Sequence, residues 1–166
     1  MAEPNWMAYA RTLIGLREVP GAKHNPTILG WAKKLGAKVL GINVTDDETP
    51  WCGLFVAHVM AQFGLGAPPI AVRAKAWRGY GRTLIGPRPG CILVFEREGG
   101  GHVGFYVGED DTHLHVLGGN QGNAVSITRI SKGRLSAMVW PNGAALPAIK
   151  VVRLKPDGAP VSRTEA

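Results

Sequence analysis

Apolar residues in the first part of the chain recur at the spacing of a helix face. Positions 52, 55, 56, 59, 60 and 63 are apolar and lie three or four residues apart or adjacent, which predicts a helix from about Cys52 to Gly64. An earlier helix is predicted after Pro4, and another from the start signal Asn25-Pro26 to about Leu35. Three helices are therefore expected before the glycine- and proline-rich break that follows.

From residue 91 onward the pattern changes to short apolar runs that are separated by turn residues. Such runs are typical of strands in an antiparallel sheet. The predicted strands are Cys91–Phe95, His102–Val107, His113–Leu117, Ala124–Ile130 and Leu135–Trp140. Because the helices come first and the strands afterwards, the sequence predicts an α+β architecture with N-terminal helices packed on an antiparallel β-sheet.

The chain has 166 residues, of which 45% are hydrophobic and 19% are charged. This composition predicts one globular domain with a substantial core. We assign that domain to residues 1–141. Residues 142–166 are interpreted as a proline-containing tail that is partly disordered, with Ile149–Leu154 as a candidate further strand.

No apolar run has the length that a membrane span needs, and the N-terminal residues lack the basic and apolar regions of a signal peptide. We therefore expect a protein that is made in the cytoplasm and reaches any site outside it by another route. Cys52 and Cys91 are expected to be reduced, because one potential bridge is a thin basis for a disulfide scaffold.

The formal net charge is +7, and no acidic residue occurs between Glu48 and Glu96. The cations in that gap are Arg73, Lys75, Arg78, Arg82 and Arg88. A basic surface favours an anionic partner such as nucleic acid, a membrane surface or an acidic wall polymer, and a merely solvated surface is the alternative. Nucleic acid is the weaker interpretation, because these cations accompany no recognised nucleic-acid-binding pattern.

Cys52 is the candidate for reactive chemistry. It lies in the first turn of a predicted helix, where free backbone N–H groups and the helix dipole stabilise a thiolate. The alternative is a small buried hydrophobic residue, which is the usual role of a free cysteine. Cys91 lies inside an apolar predicted strand with no base nearby in the pattern, and is interpreted as structural.

His102 is the candidate base, because it opens a predicted strand directly after a glycine run. In a Cys/His pair the imidazole takes the thiol proton, and the resulting ion pair is the resting nucleophile. Asn120 follows the next predicted strand, so antiparallel pairing would return it toward His102, where it would orient the ring.

Four segments resemble motifs of the CHAP domain, the cysteine, histidine-dependent amidohydrolase/peptidase family. They are Pro50-Trp51-Cys52-Gly53-Leu54-Phe55-Val56, Arg88-Pro89-Gly90-Cys91-Ile92-Leu93-Val94-Phe95, Gly101-His102-Val103-Gly104 and Val116-Leu117-Gly118-Gly119-Asn120-Gln121. The resemblance extends over roughly residues 5 to 141 and is closer still to a CHAP-like group common in phages and prophages.

The resemblance implies a papain-like α+β fold and the hydrolysis of an amide bond in peptidoglycan. The bond is either the one between N-acetylmuramic acid and L-alanine or one inside the stem peptide. By this resemblance Cys52 is the nucleophile, His102 the base and then the acid, and Asn120 the group that orients His102. The chain departs from the family at Gly118, where many CHAP domains have a glutamate that contacts the histidine.

Further residues are candidates for binding substrate. Trp51 and Trp77 are expected to line a groove for glycan or peptide, although aromatic residues in a small domain are commonly core residues. Asp47 and Glu48 are expected to bind a cationic amine of the wall peptide, or else to cap the helix as a solvated cluster. Gln121 is the remaining candidate contact with substrate.

Two other functions fit parts of the pattern. A zinc-dependent wall peptidase would use His102, His113 and His115, with Glu109 or Asp110 completing the site. A non-catalytic basic module would bind wall polymer or nucleic acid without cleaving it. The thiol mechanism is preferred, and it needs neither a metal nor an organic cofactor.

The expected context is a phage endolysin that a holin releases to the cell wall or periplasm of the host. The alternative is a secreted antibacterial effector whose partner is an immunity protein. In either case peptidoglycan is the substrate, the protein is expected to be a monomer, and neither nucleic acid nor a membrane span is involved.

Overall fold

The computed structural model describes residues 3–19, 25–41 and 51–161 of the chain. The α-helices are α1 (Asn5–Thr12), α2 (Pro26–Leu35), α3 (Ala37–Leu40) and α4 (Cys52–Ala61), and 3₁₀ helices span Ala74–Gly79 and Lys132–Arg134. The strands are β1 (Arg82–Thr83), β2 (Ile92–Arg97), β3 (Gly100–Glu109), β4 (His113–Gly118), β5 (Ser126–Ser131) and β6 (Leu135–Trp140).

α1, α2 and α4 begin where local signals in the sequence predict, whereas the short α3 lies in a segment that was interpreted as loop. The side-chain oxygen of Asn25 caps α2 by accepting hydrogen bonds from the backbone N–H groups of Thr27 and Ile28. The predicted start of a helix at Cys52 is confirmed, and α4 ends at Ala61, slightly before the predicted stop. None of the helices in the described part of the chain is long and apolar enough to cross a bilayer.

The strands form a sheet in the order β1-β6-β2-β3-β4-β5, and every neighbouring pair is antiparallel. The predicted α+β architecture is therefore confirmed. The five predicted strands are present with small shifts at their ends. β1 was not predicted, because a strand of two residues carries no periodic pattern.

α4 is the central helix of the core. Its residues from Cys52 to Met60 are all buried, so the helix is covered on every side rather than on one face as the spacing predicted. Phe55 packs edge-on against Phe105 of β3, with 6.1 Å between ring centroids. This contact helps to hold the N-terminal end of α4, and Cys52 with it, in a constant position against the sheet.

Part of the C-terminal tail runs along the end of β3. The backbone N–H of Glu109 donates to the carbonyl of Val152, and that of Leu154 donates to the carbonyl of Glu109. The candidate strand Ile149–Leu154 forms only an isolated β-bridge here, between Arg153 and Glu109. A cavity of about 610 Å³ lies between this part of the tail and the sheet, lined by Val107 and His115 among others.

His58 is a buried titratable group within α4. Its ring stacks on Trp31 with centroids 4.4 Å apart, and its Nε2 atom is 2.7 Å from the hydroxyl oxygen of Tyr9. Burial, with a smaller contribution from the positive charge of Lys34, lowers the pKa of His58 to about 4. The ring is therefore neutral in the folded protein at neutral pH.

We expect His58 to make the protein less stable at mildly acidic pH. The unfolded chain binds a proton at this ring below about pH 6.5 and the folded chain only near pH 4, so the stabilisation is complete above pH 6.5 and is lost as the pH falls toward 4. The loss is on the order of 2 kcal/mol in the free energy of unfolding. Urea unfolding across this range should show it.

The control is the variant His58→Gln, because glutamine does not bind a proton in this pH range. The stability difference between the wild type and this variant should shrink as the pH is lowered from 7 to 4. Parallel curves for the two proteins would show that His58 does not carry the acid sensitivity.

Candidate active site

Cys52 occupies the first position of α4, preceded by Trp51 as the N-cap residue, which provides no side-chain cap. The Cys52 side chain is nearly covered, with the residue 5% exposed. Burial raises the pKa of the Cys52 thiol, and the backbone N–H groups of Val103 and Gly53 act in the opposite direction by bonding to the sulfur. Since Val103 follows His102 in β3, the sulfur lies beside the strand that carries the histidine.

His102 is held by a side chain from the segment after β4. Its Nε2 atom is 2.8 Å from Oε1 of Gln121. The amide nitrogen of Gln121 donates to the backbone carbonyls of Val116, at 3.0 Å, and Ser126, at 2.6 Å. Those two carbonyls fix the orientation of the amide, so its Oε1 must accept the hydrogen bond from His102.

This hydrogen bond determines the tautomer of the neutral imidazole. Because Nε2 of His102 carries the proton that Gln121 accepts, Nδ1 has the free lone pair. Nδ1 makes no hydrogen bond within the described residues, and it is the atom that is available to take a proton from a thiol.

The sequence predicted that Asn120 would orient His102, and the structure gives that contact to Gln121 instead. Asn120 adopts a left-handed conformation with φ of +58°, and no hydrogen bond joins its side chain to His102 in the described structure. The turn at Asn120 brings the next residue, Gln121, under the ring. An asparagine tolerates this backbone conformation better than most residues do.

Gly118 explains how the amide fits. A Cβ atom at this position would lie 2.7 Å from Oε1 of Gln121 and 3.4 Å from Nε2 of His102. The missing side chain therefore leaves the space that the Gln121 amide fills. Many CHAP domains have a glutamate at the position of Gly118. In this chain the partner of His102 is instead Gln121, three residues later.

Burial affects the charge state of both residues. It lowers the pKa of His102, against an opposing effect of the Gln121 hydrogen bond, and it raises the pKa of Cys52. Both directions favour the neutral thiol and the neutral imidazole. Burial of the two groups therefore disfavours the resting ion pair that the sequence predicted.

Three of the residues predicted to contact substrate, Trp51, Trp77 and Gln121, are buried. Trp51 and Trp77 are 1% and 0% exposed, and their indole N–H groups donate to Glu18 and to the carbonyl of Ala71. Gln121 is buried, its amide oxygen bonds to His102, and its amide nitrogen donates to backbone carbonyls. These side chains pack inside the protein and expose little surface.

The other predicted contacts, Asp47 and Glu48, lie outside the described residues. Cys91 fits its structural interpretation, because it is fully buried and its pKa is raised to about 12, chiefly by burial.

The predicted zinc ligands do not form one cluster. Nε2 of His102 bonds to Gln121, whereas Nε2 of His115 lies 2.8 Å from Oδ2 of Asp110. The same carboxylate oxygen accepts a hydrogen bond from Arg129, a cation that opposes metal binding there. In the part of the chain that the structure describes, no three histidine, cysteine or acidic side chains come together as a metal site.

The residues 44–120 match the CHAP domain family. This segment contains Cys52 and His102 and ends at Asn120, one residue before Gln121. No curated protein matches the chain. The α+β fold with its six-stranded antiparallel sheet is consistent with a CHAP domain, and the match indicates a hydrolase of the amidase or peptidase type with an activity related to peptidoglycan.

Proposed function

We propose that the protein is a peptidoglycan hydrolase that cleaves an amide bond by a thiol mechanism. Cys52 is the nucleophile, His102 is the base and then the acid, and Gln121 orients the imidazole. The bond is either the N-acetylmuramoyl-L-alanine amide or an amide inside the stem peptide. No metal or organic cofactor takes part.

The observation that carries this proposal is the hydrogen bond from Nε2 of His102 to Gln121. It leaves Nδ1 as the basic nitrogen, on a residue whose neighbour Val103 donates its N–H to the sulfur of Cys52. A nucleophile, a base and a group that orients the base are the three parts that covalent catalysis by a thiol requires.

The reaction has two halves. The Cys52 sulfur bonds to the amide carbonyl carbon while His102 takes the thiol proton, and the C–N bond then breaks as His102 gives that proton to the leaving amine. Water next attacks the thioester, His102 accepts its proton and returns it to the sulfur, and the S–C bond breaks. The net change is one amide and one water converted to a carboxylic acid and an amine.

Backbone N–H groups at the start of α4 are the proposed stabilisers of the tetrahedral oxyanion. α4 begins at Cys52 and its N-cap residue Trp51 provides no side-chain hydrogen bond, so the backbone N–H groups of its first turn are positioned to donate to negative charge. The same N–H groups would stabilise a thiolate as it forms.

The proposed setting is a phage endolysin made in the host cytoplasm and released to the wall by a holin, with a secreted effector and its immunity protein as the alternative. The support is the phage-like run of motifs in the sequence and the positive net charge of +7, which suits an anionic wall. The protein is proposed to act as a monomer.

The test is clearing of a suspension of purified cell walls, followed as turbidity. Iodoacetamide should stop the clearing and a metal chelator should not, because the thiol is the nucleophile. Loss of clearing with the chelator alone would contradict the thiol mechanism. Protein that sediments with the walls without clearing them would show a binding module instead.

The role of Gln121 is tested by Gln121→Leu, which has similar bulk and no acceptor for His102. We expect kcat to fall about 10- to 100-fold, because the ring loses the hydrogen bond that sets its tautomer. The acid limb of the pH–rate profile should also move to lower pH, since this hydrogen bond raises the pKa of His102. Steady-state kinetics across pH measure both effects.

The matched control is Asn120→Gly, which removes the neighbouring side chain and keeps the left-handed backbone conformation. It should retain most of the activity and an unshifted profile. A larger loss in Asn120→Gly than in Gln121→Leu would restore Asn120 as the orienting residue.

A further inference from the structure

Arg97 lies at the mouth of the Cys52–His102 site. It is the last residue of β2 and pairs with Gly100 of β3, while Phe95 pairs with His102. Directly opposed residues in an antiparallel pair project from the same face, so Arg97 and His102 share a face of this hairpin. They are diagonal neighbours across the two strands. The backbones of such neighbours are generally about 7–8 Å apart, which is within the reach of an arginine side chain.

The guanidinium of Arg97 is free of partners in the described structure. Of its two acidic sequence neighbours, Glu96 pairs with Lys75 at 2.8 Å, and Glu98 makes no ion pair with Arg97. The residue opposite Arg97 is Gly100, and a Cβ atom there would meet nothing within 4 Å. A ligand could therefore approach Arg97 without displacing a side chain.

The positive charge of Arg97 acts on both Cys52 and His102. Its charge lowers the pKa of both Cys52 and His102, and Arg134 adds a smaller effect on His102. Within the described ranges, the charged side chains that shift these two pKa values are all positive. The part of the site beside Arg97 is thus suited to a substrate that carries negative charge near its reacting amide.

We propose that Arg97 binds a carboxylate of the wall peptide near the scissile amide and so determines which stem peptides are cut. This inference rests on the proposed function and adds a specificity to it. A guanidinium offers two parallel N–H donors that match the two oxygens of a carboxylate, and it offers nothing comparable to a neutral carboxamide. Arg97 is a specificity residue and takes no part in proton transfer.

The test uses muropeptides released by a glycosidase, in two forms: one with free carboxylates and one in which the carboxylates have been converted to carboxamides. The wild type should cleave the free form with a kcat/KM about tenfold higher at low salt. Arg97→Gln should abolish the preference by losing activity on the free form, mainly through KM, and Arg97→Lys should keep part of it.

Arg82→Gln is the matched control, because it removes the same charge from an exposed position on β1, at the far edge of the sheet. It should keep the wild-type preference. An Arg97→Gln variant that keeps the preference, or that loses activity equally on both forms, would overturn the inference, the latter because it marks a general effect on the thiol and the imidazole.

A binding measurement separates this inference from the proposed function. Cys52→Ala protein should bind the free muropeptide about tenfold more tightly than the amidated one by calorimetry, and the added Arg97→Gln change should remove the difference. If the wild type cleaves neither form and this binding preference is present, the proposed function fails, while the binding of a peptide carboxylate by Arg97 stands. Cleavage without any preference overturns the inference and leaves the function.

Discussion

Replacing Cys52 with alanine is expected to abolish peptidoglycan hydrolysis, with a fall in rate on the order of 10⁴-fold or more. Without the sulfur, no thioester forms, and the remaining N–H donors and His102 support only a residual reaction. The fold should persist, because alanine is a good helix former and the change removes one atom at the first turn of α4. Release of soluble muropeptides from purified walls measures the effect.

Cys91→Ala is the control for this variant, since it removes the same atom from a fully buried residue directly before β2, at the end of that strand away from the Phe95–His102 pair. It should cost some stability and little activity per folded molecule. Substantial hydrolysis by Cys52→Ala, or an equal loss in both variants with both proteins folded, would contradict the role of Cys52.

Replacing His102 with alanine is expected to lower kcat on the order of 10³-fold or more, because every proton transfer of the proposed reaction passes through this ring. Burial raises the pKa of Cys52, so the thiol without its base stays protonated at neutral pH. The variant should therefore also react more slowly with iodoacetamide. The rate of alkylation, followed by mass spectrometry of the Cys52 peptide, reports this effect without any substrate.

His113→Gln is the control for His102→Ala. His113 lies on β4 and its Nδ1 bonds to the hydroxyl of Thr112, so its loss should leave both the kinetics and the alkylation rate near wild type. A loss of activity in His113→Gln comparable to that in His102→Ala would instead favour the zinc alternative.

Much of the fold could be predicted because its signals are local. Asn25 and Pro26 mark the start of α2 by capping chemistry that depends on the next few residues alone. The five longer strands have apolar runs bounded by turn residues. The 3₁₀ helix Ala74–Gly79 has no such signal, because its position follows from Trp77 packing into the core.

The candidate site could be predicted only in part. Cys52 and His102 stand out because a helix start and a glycine-flanked strand are visible in the sequence. The sequence could not show that Gln121, rather than Asn120, contacts His102. That contact depends on the left-handed turn at Asn120 and on the space beside Gly118, which exist only once β4 and β5 have paired. The burial of Trp51 and Trp77 could not be predicted for the same reason, because it depends on long-range packing.

The most direct test of the central claim is mass spectrometry of the products that wild-type and Cys52→Ala proteins release from purified peptidoglycan. We predict that the wild type releases fragments that have gained one water at an amide bond, with a new amine and a new carboxylic acid at the cut, the acid lying either in the stem peptide or on the lactyl group of the sugar, and that Cys52→Ala releases none. Products cut between sugars, or the same amide products from Cys52→Ala, would contradict an amide hydrolase in which Cys52 is the nucleophile.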